Sequence, residues 1–196
     1  MKGTAMPKIL DTFKIVDVLI AFDVDEILKS NNNSLSQHPD QPTSLGNNPD
    51  TVYMITTLAN AAYGFGQGTT SGQNEGEGGS NLRIKAQVDD VIRWRTVSLT
   101  GTAEYKCFLY NFVPKTANLL GYVSYLTDNS TEPYPARGWP DNNTVNEEAR
   151  ADYYAKATVL CPGNNETYAF VAAIYDRHAQ LKGYVTWDAY LTIISQ

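Results

Sequence analysis

Charge is scarce in this sequence, and basic charge more so. Asp, Glu, Lys and Arg make up only 18% of the 196 residues, with 15 basic against 21 acidic side chains and a net charge of −6. No Lys/Arg cluster stands out, which argues against a partner recognised through its phosphate backbone. Cysteine is also rare. Cys107 and Cys161 are the whole supply, too few for a disulfide framework, and each lies in or beside a strand-like run, so free thiols are expected. The two histidines, His38 and His178, build no Ser-His-Asp or Cys-His set with neighbouring strand ends. With the cysteines they give four zinc-ligand types at no paired spacing, so no metal and no cofactor are expected. Long apolar runs are missing as well. The first candidate is interrupted by Asp11, Lys14 and Asp17. It is neither the unbroken stretch of about 7–15 residues of a secretory signal nor the roughly 20 of a membrane helix. A cytoplasmic protein with no membrane or nucleic-acid partner is the expectation.

Tyrosine and alternation are what the chain has instead. It carries 13 Tyr within a 42% hydrophobic composition. Period-2 patterns recur in KIVDVLIAF, TVYMITTLA, NLRIKAQV, DVIRWRTVSL, AEYKCFLYNFV, LLGYVSYL, ADYYAKATVL, TYAFVAAIYD and GYVTWDAYLTII. These are about nine strand candidates. They predict burial of Ile20, Phe22, Ile92, Trp94, Phe170 and Trp187, with Arg83 and Lys85 facing solvent. DEILK reads as one short helical turn, and TVNEEARADYY as partly helical before it becomes strand. Three stretches read as loops. The first is KSNNNSLSQHPDQPTSLGNNPD, the second the glycine-rich GFGQGTTSGQNEGEGGSN, and the third TDNSTEPYPARGWPDNN. The glycine-rich segment lacks the Gly-Lys-Ser/Thr ending of a phosphate loop and reads as a hairpin connection. The four Asn-x-Ser/Thr matches are what chance gives in so asparagine-rich a chain. The pattern predicts a single all-β domain over residues 1–196, an antiparallel, jelly-roll-like β-sandwich with long polar loops and a loosely ordered arm over residues 1–14.

Asp23-Val24-Asp25, at the end of the first strand, resembles the opening of haloacid-dehalogenase-type phosphatases. Those enzymes need a parallel sheet with crossover helices to converge strand ends on Mg²⁺. This chain has no such rhythm, and Glu26-Ile27 follow where threonine and glycine are expected. A non-enzymatic protein is the reading. Asp23 and Asp25 are then acceptors for backbone N–H groups in the turn, or ion-pair partners of Arg93 and Arg95, which share one strand face. A Ca²⁺ site formed with Glu26 is the weaker alternative, as no EF-hand-like loop accompanies it.

Five short stretches, DVLIAFDVDEIL, VYMIT, DVIRWR, YDR and GYVTWDAYLTI, occur in an order and spacing that resemble the bacterial PixA/AidA family of inclusion-body and autoinducer-dependent proteins. The resemblance runs from about Ile15 to Ile194. It implies a small soluble bacterial protein that accumulates at high cell density or in stationary phase and is linked to host association. It carries no catalytic residues over to this chain.

Two functional classes follow. One is a self-associating protein, a homodimer or larger, because uncharged edges such as Leu119–Leu126 are templates for a second copy. The other is a lectin-like module. Trp139, with Tyr134 nearby and Asp141, Asn142 and Asn143 beside it, and Trp187 with Asp188, supply the aromatic faces and polar side chains that a glycan ligand uses.

Overall fold

The computed structural model describes residues 13–47, 49–61, 80, 82–101 and 104–194. The glycine-rich segment lies outside them, except for Ser80, as does the proposed N-terminal arm, except for Phe13 and Lys14. Lys14 is not loose: its N–H donates to Asp90 Oδ1 (2.7 Å), and its carbonyl accepts from Val91 N–H (2.9 Å).

Among the described residues the chain forms ten strands and one helix. These are β1 (Ile15–Phe22), α1 (Val24–Ser30), β2 (Thr43–Asn47), β3 (Val52–Thr56), β4 (Leu82–Lys85), β5 (Val91–Ser98), β6 (Tyr105–Pro114), β7 (Ser124–Pro135), β8 (Val145–Thr158), β9 (Gly163–Asp176) and β10 (Leu181–Ile194). They build a β-sandwich, as the alternation predicts. One sheet has the order β3-β1-β5-β8-β7, and the other β2-β10-β9-β6 with β4 also on β10. Both sheets are mixed rather than purely antiparallel. β1 runs parallel to β5, and β10 runs parallel to β2 and β4, which share its edge in succession.

The core forms where the alternating faces meet. Val16, Val18, Ile20 and Phe22 of β1 and Ile92 and Trp94 of β5 face Tyr168, Phe170, Ala172 and Ile174 of β9 and Val185, Trp187, Leu191 and Ile193 of β10. All six residues expected inside are at most 1% exposed. Trp187 stacks on Phe170 with centroids 5.3 Å apart and meets Phe22 edge-on at 5.4 Å, while Phe112 touches both Trp94 and Phe170 at 4.9 Å. Each such aromatic pair adds about 0.5–1.5 kcal/mol beyond the area it buries. Lys85 is half-buried, and the Arg83 side chain lies outside the described set.

Four segments differ from the sequence reading. Thr43–Asn47, inside the first polar loop, is a strand on β10. Leu119 and Leu120 are core residues at 1% exposure, not an edge strand, and regular strand begins only at Ser124. Residues 127–135, read as loop, and 145–151, read as partly helical, pair as strands. They continue β7 and β8 past the sandwich, where neither face meets a second layer to impose an apolar alternation.

Candidate functional site

The acidic turn serves a structural end. Asp23 is the N-cap of α1: its Oδ1 accepts the Glu26 N–H at 3.1 Å, and Asp25 and Glu26 fill the first turn, where the helix dipole favours negative charge. Neither aspartate reaches Arg93 or Arg95. The parallel register of β1 and β5 sets Asp17, not Asp23, beside Arg93. The Asp17 carboxylate takes a fork from Arg93 Nε and Nη2, both at 2.7 Å, and a third bond from Arg95 Nη1 at 3.0 Å. Arg95 Nε binds Asp152 on β8, and its guanidinium lies 5.2 Å from the Tyr154 ring centroid. The Arg93 guanidinium bonded to it holds the Asp17 carboxyl below its ordinary value. The network ties β1, β5 and β8 together across the outer face of their sheet. Among the described residues no group of three or more His, Cys, Asp and Glu is placed to hold a metal ion.

The two halves of the expected glycan site lie in different sheets and separate environments. Trp187 is fully buried in the core, so its ring is closed to any ligand. A Trp-Asp pair on a strand points to opposite faces, and Asp188 turns outward to bind Lys115. Trp139 is half-exposed, in the turn between β7 and β8. There Asn142 is occupied by the turn itself: its Nδ2 donates to the Arg137 carbonyl (2.8 Å) and its Oδ1 accepts the Thr144 N–H (3.1 Å). Asp141 and Asn143 are exposed. The turn is further closed by Trp139 N–H to Ala136 O (3.1 Å) and Asn143 N–H to Pro140 O (2.9 Å). Trp139 is therefore presented on a frame built by its neighbours, with Tyr134 and Val145, also exposed, at its base.

That turn caps the most prominent feature of the surface, which is an arm. β5 pairs β8 only from Tyr154 to Thr158. The Tyr125–Tyr153 stack and the Tyr153 hydroxyl bond to the Leu109 carbonyl (2.7 Å) close the end of the sandwich. From Asn129↔Ala151 to Pro135↔Val145, seven further residue pairs carry the ribbon on alone, about 20 Å at the usual rise per strand residue. In that stretch every residue is exposed save the half-buried Ser130.

The ribbon's two faces differ. On the face that continues the sheet's outer surface, Asp128 sits opposite Asp152 and Glu132 opposite Glu148. Arg150 answers one of these, at 2.6 Å from Glu132. On the face that continues the core side lie Thr127, Asn129, Ala151, Thr131, Ala149, Pro133, Pro135 and Val145, with Glu147 its one charged residue. No single motif marks the ribbon in the sequence. The available signal was the long β7–β8 spacing around Gly138 and Asn143, both of positive φ, which a hairpin turn accommodates.

The comparisons with known proteins agree with this fold. A family model described as PixA, inclusion body protein, matches residues 14–193. Among solved structures, the crystal structure of an inclusion body protein (PixA) from Burkholderia cenocepacia J2315 superposes with a TM-score of 0.70. It covers 95% of this chain and 99% of that one at 19% identity, and so speaks to the fold alone. A structure of PbICP-C in complex with falcipain-2 covers 58% of this chain and 88% of that one at 14% identity. Its TM-score of 0.27 supports no argument. No curated protein matches the chain.

Proposed function

This chain belongs to the PixA inclusion body protein family, and from that premise we propose that it works by binding copies of itself rather than by catalysis. On this reading it is a cytoplasmic protein that accumulates at high cell density or in stationary phase and serves association with a host. The β7–β8 arm is the observation that carries self-association. A two-stranded ribbon exposed on both faces is marginally stable in water by itself, yet here seven residue pairs extend beyond the sandwich. A partner surface would supply the missing second layer.

Charge selects the face and the partner. In a protein of net charge −6, the acidic face repels a second copy, whereas the face of Thr, Asn, Ala, Pro and Val, with Glu147 as its one charge, approaches its twin at a smaller cost. Two arms laid together by these weakly charged faces form a two-fold, self-complementary contact. The exposed Trp139, on its closed turn, is the residue type that anchors such contacts. Replacing residues 129–151 with Asn-Gly, a two-residue hairpin turn, tests this. The shortened protein should keep its melting temperature and lose its oligomers in light scattering. Oligomers that persist unchanged in the shortened protein would place the interface elsewhere and remove the arm's role.

A further inference from the structure

A cavity of about 300 Å³ opens between β6, the segment leading into β7, and β9. Tyr110, Tyr122, Tyr125 and Tyr168 line it with Asn111 and Asn118, and no charged residue is among the described residues of its wall. Its position follows from a β-bulge. The register of β6 on β9 shifts between Leu109 and Asn111, so Tyr110 is the extra residue, and a bulge re-aims side chains at that point. The Tyr110 hydroxyl donates to the Pro39 carbonyl at 2.8 Å, and its ring meets Tyr184 edge-on at 5.5 Å. One wall is therefore fastened to the neighbouring loop.

The opposite wall is fixed as firmly. The Tyr168 hydroxyl accepts the Leu119 N–H at 2.6 Å and donates to Asn118 Oδ1 at 3.2 Å, and the same Oδ1 accepts the Leu120 N–H at 3.2 Å. Asn111 Oδ1 accepts the Phe112 N–H at 2.9 Å. Both carboxamide oxygens are thus occupied. The two carboxamide nitrogens, and the hydroxyls of Tyr122 and Tyr125, have no hydrogen-bond partner among the described residues. Burial pushes the Tyr125 phenol up to about 12, so it remains a protonated donor at neutral pH.

A pocket with anchored Tyr110 and Tyr168 walls, solvent-facing amide and phenol donors and no charge on its wall has a defined chemical complement. A charged ligand would lose its hydration there without gaining a counter-charge. A purely apolar ligand would leave the amides unpaired. A ligand with an apolar C–H face and several hydroxyls satisfies both kinds of wall, and the volume is at the lower end of the range for small-molecule sites. The geometry points to a binding site for a neutral sugar residue in this tyrosine–asparagine cavity, rather than in the turn that carries Trp139. It does not depend on the arm or on self-association.

Saturation-transfer NMR and calorimetry with glucose, galactose, mannose, N-acetylglucosamine and their disaccharides test the site, with sialic acid and glucose 6-phosphate as charged comparators. At least one neutral sugar should bind. Tyr122→Ala and Asn111→Ala should each weaken it tenfold or more, and Trp139→Ala should leave it unchanged. Tyr122 is 89% exposed, so its replacement should leave the melting temperature in place and isolate the effect on binding. The site is refuted if no neutral sugar binds, if both cavity variants bind as the wild type does, if a charged comparator binds as well as the neutral sugars, or if binding is lost in Trp139→Ala.

Discussion

Alanine at Gly183 would place a methyl group inside the backbone of the loop that crosses β10. A Cβ built there lies 2.4 Å from Leu35 Cβ and 2.8 Å from the Ser36 carbonyl oxygen. Neither atom is the far end of a flexible side chain, so the clash is relieved only by moving main chain. That main chain is pinned: Tyr184 N–H donates to the same Ser36 oxygen at 2.8 Å, and Leu35 is only 6% exposed. Gly183 also sits at φ +148°, which side-chain-bearing residues adopt at a cost of about 1–3 kcal/mol. Overpacking adds about 1–3 kcal/mol. Together the lower halves of these ranges give about 3 kcal/mol. In a chain of this size that lowers the melting temperature by about 6–12 °C. Gly101→Ala is the control, since nothing lies within 4 Å of its added Cβ, and it should melt within about 1 °C of the wild type. Calorimetry of the three proteins decides the matter. A Gly183→Ala protein that melts within about 2 °C of the wild type would show that the loop does not lie against β10 as described.

Three more outcomes follow. Asp17 is held below its ordinary value of 3.8 by Arg93, so its ion pairs stabilise the fold fully at pH values well above 3.8 and are lost as acid protonates the folded carboxylate. Because Asp17 is 46% exposed, solvent screening limits the term to about 1 kcal/mol or less. The wild type's urea midpoint should therefore exceed that of Asp17→Asn near neutrality and converge on it at low pH, and a constant gap would contradict the linkage. Burial pushes the Cys107 thiol up to about 12, so a thiol reagent should modify Cys161 in the native protein and Cys107 only on unfolding; two equally fast thiols would contradict this. Finally, Trp187→Ala should cost about 3–5 kcal/mol while Trp139→Ala changes stability by less than about 1 kcal/mol, which denaturant titration of the two variants compares directly.

Period-2 alternation revealed β1, β5, β9 and β10 because one face of each strand is pressed into the core, leaving Ile20, Trp94 and Trp187 where the pattern put them. The same logic hid the arm. Residues 129–135 and 145–151 pair through main-chain bonds with solvent on both sides, so side-chain hydropathy carries no record of them; the Asn, Ser and Pro of the first imitate a loop, and the Glu, Ala and Arg of the second a helix. β2 was hidden for a related reason, since it adds to the edge of β10 inside a polar stretch. Asp17, the partner that Arg93 and Arg95 share, depended on the parallel register of β1 on β5, a long-range fact that no local spacing encodes. Reading Trp187 and Asp188 together as a ligand pair failed because adjacent strand residues face opposite ways. The tyrosine–asparagine cavity draws on three separate segments, and only the abundance of tyrosine hinted at it.

Sedimentation velocity of the unmodified protein at micromolar concentration tests self-association most directly. A dimer or larger species should predominate, with the mass falling toward a single chain when residues 129–151 are replaced by Asn-Gly. A wild type that sediments as a monomer of 21.7 kDa across that range would contradict the account.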